Sequence, residues 1–138
     1  MRIENSIEIE APPARVWELT VDVESWPELT STISRIERLD TALLDVESKA
    51  RVEQPGQMAR IWTVTALEPG RRFAWSTQAF GATITATHLL RPSEAGTTNT
   101  LVVEVEGRLS ALIGALVRRP IAKAIETENR GFKAAAEQ

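Results

Sequence analysis

Cysteine and tyrosine are absent, and histidine occurs once, at His88. Without cysteine there is no disulfide and no thiolate nucleophile or ligand. No tyrosine and a single histidine cut the list of possible general acids and bases sharply. A metal centre needs several suitable ligands close together. One histidine leaves only carboxylates, and no spacing recommends them, so no metal is expected. No glycine-rich phosphate loop occurs, since Gly56, Gly70, Gly81 and Gly96 stand in turn contexts, and there is no G-x-S-x-G elbow. No cofactor is expected. Long hydrophobic runs are missing too. Leu109 to Val117 falls far short of the ~20 residues of a membrane-spanning helix, so no stable membrane insertion is expected. The 16 basic and 19 acidic residues are interspersed and give a net charge of −3, with no basic stripe, which argues against nucleic acid as a partner. The opening MRIENSIEIEA alternates and carries acids, unlike a signal peptide, so a cytoplasmic location is expected.

What is present reads as strands followed by one long helix. With 138 residues, 43% of them hydrophobic, and no repeat, linker or low-complexity stretch, 1–138 reads as a single domain. Ile3 to Glu10 alternates as a half-buried strand. Ala11-Pro12-Pro13 stops it, and two short helical stretches follow, Ala14 to Leu19 and Val21 to Leu29, the second broken at Trp26-Pro27. Six strands are then expected: Ile33 to Leu39, Val46 to Gln54, Arg60 to Leu67, Arg72 to Gln78, Ala82 to Leu90 and Thr98 to Glu106. Turns such as Pro55-Gly56 and Glu68-Pro69-Gly70 separate them. With no crossover helices between strands, the sheet must be antiparallel.

The last stretch, Leu109 to about Glu137, carries apolar residues at helical spacing: Leu109, Leu112, Ile113, Leu116 and Val117, then Ile121, Ala124, Ile125, Phe132, Ala135 and Ala136. The second set is rotated by roughly a quarter turn from the first. One helix of about 28 residues, ~40 Å long, is therefore expected, bent or broken near Arg119–Pro120. Such a helix needs a surface to lie on, and the sheet is the one available. Ser48, Ala50, Gln54, Thr77, Ala82, Ala86 and Asn99 fall on the helix-facing side of their strands and are small or polar, where a solid core would want bulk. Two outcomes are open: a cavity between sheet and helix, or an interior filled by Trp62, Trp75 and Phe73.

The IEIEAPPARVWELTVDVESWPEL opening, RVEQPG, the stretch from Trp62 to Trp75 (W-x-V-x-x-L-E-P-G-R-R-F-x-W), the THLLRP…GT segment and the G-x-L-x-x-L-x-G lead into the last helix carry a likeness. Over nearly its whole length the chain resembles the START-like helix-grip superfamily (SRPBCC), and within it the polyketide cyclase/dehydrase and lipid-transport branch. The resemblance implies an α+β helix-grip fold: a curved seven-stranded antiparallel sheet around a long C-terminal helix, with two short helices after strand 1. It also implies a hydrophobic tunnel between sheet and helix. Cyclases of the group orient a polyketide with pocket arginine, histidine or tyrosine, and the tyrosine role is vacant here.

The alternation of the strands brings Val52, Gln54, Trp62, Trp75, Asn99, Leu101 and Val103 to the helix-facing side, opposite Ile113 and Ile121. These are the candidate ligand-binding residues, with Gln54 and Asn99 as polar points. His88 shares a face with Ile84, Ala86 and Leu90 and is the candidate catalytic acid/base. The plainer reading, a strand-end histidine satisfied by a neighbour, is preferred because no partner stands beside it. Arg35, Arg51 and Arg60 lie on strands, where an inward one could clamp a carboxylate; alternation puts Arg51 outward and leaves Arg35 open. Three functions follow. The first is binding of a small hydrophobic ligand, a lipid or an aromatic polyketide-like compound. The second is a cyclase or dehydratase using His88 with Gln54 or Asn99. The third is a surface role for Leu109 to Val117 with Arg118-Arg119. A homodimer is left open.

Overall fold

Strand β1 (Arg2–Ile9) buries Ile3 and Ile9 and exposes Arg2, Glu4, Ser6 and Glu8, as its period-two pattern requires. The computed structural model describes residues 1–138. After β1 come α1 (Pro13–Val21), a 3-10 turn (Val23–Ser25) and α2 (Trp26–Leu29). Then follow β2 (Arg35–Arg38), β3 (Lys49–Glu53), β4 (Arg60–Glu68), β5 (Arg72–Ala79), β6 (Ala82–Pro92), β7 (Thr97–Glu106) and the helix α3 (Ser110–Ala136). The seven strands form one antiparallel sheet in the order β1-β7-β6-β5-β4-β3-β2. This is the α+β helix-grip architecture, with the short helices after β1. Several details go beyond or differ from the sequence reading. The segment before β3 is a loop in which Glu47 takes φ 78°, so that strand begins at Lys49. Pro27 does not break a helix. It sits in the first turn of α2, where no amide donor is needed. In β4 the register slips between Val64 and Ala66, a bulge that bends the strand.

The core lies where α1, α2 and the C-terminal half of α3 meet the concave side of the sheet. Trp26 is its hub. Its ring stands 5.9 Å from Phe73, 5.2 Å from Trp75, 4.9 Å from His88 and 5.8 Å from Phe132, and its indole N–H donates to the Leu19 carbonyl at 3.1 Å. Side chains of this size, fully covered as Phe73 is, each contribute roughly 2–3 kcal/mol by burial.

A bend or a break is expected near Pro120; helix α3 is continuous from Ser110 to Ala136, so there is no break. The bond Pro120 fails to make would go to the carbonyl of Leu116, a residue 74% exposed, on a side of the helix that water can satisfy. The presumed phase change has a different origin. Leu109, Leu112 and Leu116 are exposed and do not belong to the packed face at all. The packed face is one stripe: Gly114, Ile125, Asn129, Phe132 and Ala136.

Asn129 is fully buried in that stripe. Its side-chain amide donates to the Asn5 carbonyl at 3.0 Å, to Asn5 Oδ1 at 2.7 Å and to the Asn99 carbonyl at 3.3 Å, while its Oδ1 accepts from Asn99 Nδ2 at 2.8 Å. Two residues on, Gly131 lies so close to α2 that a Cβ there would collide with the Leu29 carbonyl. Asn129→Leu should therefore destabilise the fold by about 3 kcal/mol, since it strands buried polar groups on two strands. Gly131→Ala should also destabilise it despite alanine's better helix propensity. Denaturant melts check both, and an unchanged midpoint in either would contradict this packing.

Candidate functional site

Between the sheet and the forward part of α3 the packing opens into a cavity of about 530 Å³, and 18 of its 27 lining residues are hydrophobic. The helix supplies Ile113, Val117, Pro120, Ile121, Ala124, Ile125 and Glu128, at i, i+4, i+7, i+8, i+11, i+12 and i+15, a stripe flanking the packed one. The sheet supplies Val52 and Gln54 from β3 and its end, Trp62 from β4, Trp75, Thr77 and Ala79 from β5, Ile84, Ala86 and His88 from β6, and Leu101 and Val103 from β7. The rim is formed by the β3–β4 and β5–β6 turns. There Met58 is 80% and Phe80 70% exposed, Phe80 holds φ 55°, and the Arg60 guanidinium sits 5.0 Å from its ring centre.

Of the candidates named from sequence, Val52, Gln54, Trp62, Trp75, Leu101, Val103, Ile113, Ile121 and His88 are on this wall. Trp62 and Trp75 lie 5.6 Å apart at 39° and border the space without filling it. Asn99 is the correction. It faces the helix as its alternation requires, but lower down, where the helix touches the sheet, and its amide is spent on Asn129. Ser48, Ala50 and Ala82 likewise lie off the cavity. Arg35 and Arg51 face outward to Glu37 and Glu53.

His88 is 3% exposed among the rings of Trp26, Phe73 and Phe132, and no protein group hydrogen-bonds either ring nitrogen. Burial pushes its pKa down to about 3. At neutral pH it is an uncharged aromatic plate.

Glu128 was missed. The carboxylate occupies the i+7 place of the stripe Ile121, Ala124, Ile125, a signal that was readable as an acid where apolar spacing predicts bulk. Only part of its surface is covered by neighbours, because it is part of the cavity wall, but its carboxyl is enclosed and burial pushes the pKa up to about 7. Thr32 Oγ1 donates to its Oε2 at 3.0 Å and partly offsets that rise. No ion pair reaches it, and its Oε1 has no protein partner.

The two groups predict the pH profile of stability. His88 titrates near 6.5 when unfolded and about 3 when folded, so its contribution is complete above 6.5 and is lost as pH falls toward 3. Glu128 runs the other way: from 4.5 unfolded to about 7 folded, its contribution is complete below 4.5 and declines as pH rises to about 7. Between 4.5 and 6.5 the opposed slopes, each about 1.4 kcal/mol per pH unit, nearly cancel. Glu8, lowered by hydrogen bonds from Thr98 and Ser93, and Glu137, lowered by the Glu10 amide and Lys133, add to the acid-side loss. Thermal melts should show a plateau with a fall on each side. Glu128→Gln should turn the plateau into a slope rising with pH up to about 6.5 and abolish the alkaline fall. A profile for Glu128→Gln that overlays the native one would disprove the assignment.

The family described as "Polyketide cyclase / dehydrase and lipid transport" matches residues 1–137. Among solved structures, TTHA0849 from Thermus thermophilus aligns at 17% identity with TM-score 0.79, covering 99% of this chain and 97% of that one. The protein jhp0584 from Helicobacter pylori aligns at 14% identity with TM-score 0.82, covering 99% and 88%. The di-domain ARO/CYC StfQ from the steffimycin biosynthetic pathway aligns at 15% identity with TM-score 0.81, and 99% of this chain covers 50% of it. At these identities the likenesses speak for the fold alone. The family match spans nearly every residue, and the chain belongs to the polyketide cyclase/dehydrase and lipid transport family.

Proposed function

We propose that this protein binds a small hydrophobic molecule, lipid-like or an aromatic polyketide-like compound, in the cavity between sheet and α3. The observation that carries this reading is the cavity itself. It has about 530 Å³ of space with a mostly apolar wall and a few polar points, which is the make-up of small-molecule sites. Such a wall holds its ligand by area, ~25 cal/mol per Å² removed from water. The tilted pair Trp62 and Trp75 favours a planar ring system within that class. Membership of a family described by polyketide cyclisation and lipid transport points the same way.

A cyclase or dehydratase with His88 as acid/base is the second reading, and it has less support. A base of pKa about 3 with no partner is mismatched to proton transfer near neutrality. Asn99, which would assist it, is engaged elsewhere.

A hydrophobic fluorophore such as a naphthylamine dye should bind the folded protein with a blue-shifted, saturable emission. Ala124→Trp, which projects bulk from the helix into the cavity, should cut that affinity at least tenfold while the melting curve stays cooperative. A dye that binds the filled variant equally well would place it elsewhere and defeat the proposal. His88→Phe keeps an aromatic plate in the cluster and should leave dye affinity within about twofold. If a reaction is found, loss of ~100-fold or more in turnover for that variant would restore the acid/base reading.

A further inference from the structure

Inside the cavity, hydrogen bonding is unevenly available. The Thr77 hydroxyl is committed to the Ile61 carbonyl at 2.7 Å, and Arg60 lies over Phe80 at the rim. Glu128 differs because half of its carboxyl is fixed and half is free. The Thr32 amide donates to Thr30 Oγ1 at 3.2 Å, and the Thr30 and Thr32 hydroxyls are 2.9 Å apart. The Thr32 hydroxyl then donates to Glu128 Oε2 at 3.0 Å. With the Thr32 hydroxyl proton given to the carboxyl, the contact between the two hydroxyls is left for Thr30 to donate, so the chain ends on the carboxyl. With Oε2 occupied as an acceptor, a proton on the carboxyl belongs on Oε1, the oxygen with no protein partner.

We propose that Glu128 is the polar anchor of the cavity, and that the ligand it selects is an apolar molecule bearing a ketone, ester or similar carbonyl oxygen that accepts a hydrogen bond from the protonated Oε1. The proposal rests on the reading of the cavity as a binding site for an apolar molecule.

No charged group around Glu128 holds it ionised; only the Thr32 hydroxyl favours the carboxylate, and burial outweighs it. The elements packed on α3 are β1, β7, α1 and α2. β1 turns Ile3, Asn5, Ile7 and Ile9 toward the helix, and β7 turns Asn99, Leu101 and Val103. The charges of α1 and α2, Arg15, Glu18 and Glu28, are exposed. On α3 itself, Glu126 pairs with Arg130 and Lys133 with Glu137, and Lys123 is exposed. Arg60 and His88 are the other titratable groups on the cavity wall. Neither pairs with Glu128, and His88 is uncharged. The carboxyl's pKa of about 7 reflects this setting. An ammonium ligand would have to be stripped of water to meet a carboxylate there, and such desolvation offsets most of the attraction. A neutral acid donating to a neutral carbonyl involves no such penalty.

Three probes and two variants test the anchor. The probes are an acyl-dimethylaminonaphthalene, whose ketone emission shifts red on accepting a hydrogen bond, the same dye without the acyl group, and naphthylmethylamine. The ketone should bind the native protein about tenfold tighter at pH about 5.5 than at about 8.5, because a hydrogen bond inside an apolar site is of that order. The dye without the acyl group should show no such change. Glu128→Gln, whose amide donates at every pH, should bind the ketone independently of pH. Glu128→Leu should bind it about tenfold more weakly at the lower pH with blue-shifted emission, yet hold the dye without the acyl group normally. The proposal is overturned if Glu128→Leu leaves the ketone's affinity and emission unchanged, or if the pH dependence survives in Glu128→Gln. It is also overturned if naphthylmethylamine gains affinity with rising pH while the ketone shows none, which would make the site a cation site. Failure of the dye without the acyl group to bind at all would instead remove the cavity reading beneath it.

Discussion

The placement of α3 on the sheet depends on one buried amide. Asn129 cannot be desolvated on an apolar helix face unless every one of its groups is paired, because an unsatisfied amide in the interior costs on the order of 1–3 kcal/mol for each group. Its partners are on β1 and β7, adjacent strands of the sheet, and they pair only with a helix at one height and one rotation. Hydrophobic packing by itself tolerates sliding and turning. The amide clamp does not, and it therefore sets which stripe of α3 meets the sheet and which flanks it. Glu128 stands on the cavity wall because Asn129, one residue on, is locked against β1 and β7.

A clamp near one end leaves the rest of a 27-residue helix as a lever. At the far end the hold is lighter. Met1 lies against Gly114, where the missing side chain makes room for it, and the amino terminus donates to the Val105 carbonyl at 3.1 Å. Between the two holds the helix stands off the sheet, and the small residues Ala86, Thr77 and Ala124 leave the gap open. The aromatic cluster around Trp26 closes the gap at the clamped end. His88 belongs to that closure more than to the cavity's chemistry. Its three ring neighbours keep it neutral, and the same enclosure that makes it a good plate makes it a poor base.

Strand by strand, the sheet was legible because the chain alternates and its turns are marked by glycine and proline. The wall residues Val52, Trp62, Trp75, Leu101 and Val103 came from that alternation alone. What was not legible has two physical sources. Alternation says which face a residue takes but not how far along the helix its strand position lies, so Asn99 was placed in the cavity when it stands at the clamp. On α3, Leu112 and Leu116 looked like core because they are leucines at helical spacing, yet both are exposed, at 61% and 74%. The rule that apolar residues go inside works in one direction only. The polar residues of the helix carried more information, since Glu128 and Asn129 within an apolar stripe are tolerable only if each has a partner or a use.

The size of the cavity decides its state. A dry void penalises the fold by about 24 cal/mol per Å³, so 530 Å³ of true emptiness would cost on the order of 10 kcal/mol. That is comparable to the entire stability of a domain of this length. An empty, sealed interior is therefore excluded. The space must communicate with water through the rim at Met58 and Phe80, or be occupied. Water in contact with the apolar wall of Ile84, Ala86, Leu101 and Val103 finds few partners, and it is released when an apolar body replaces it. The same geometry that would be a defect in a closed core thus becomes a driving force for binding. The few polar points then have only to choose among molecules that the apolar wall already accepts.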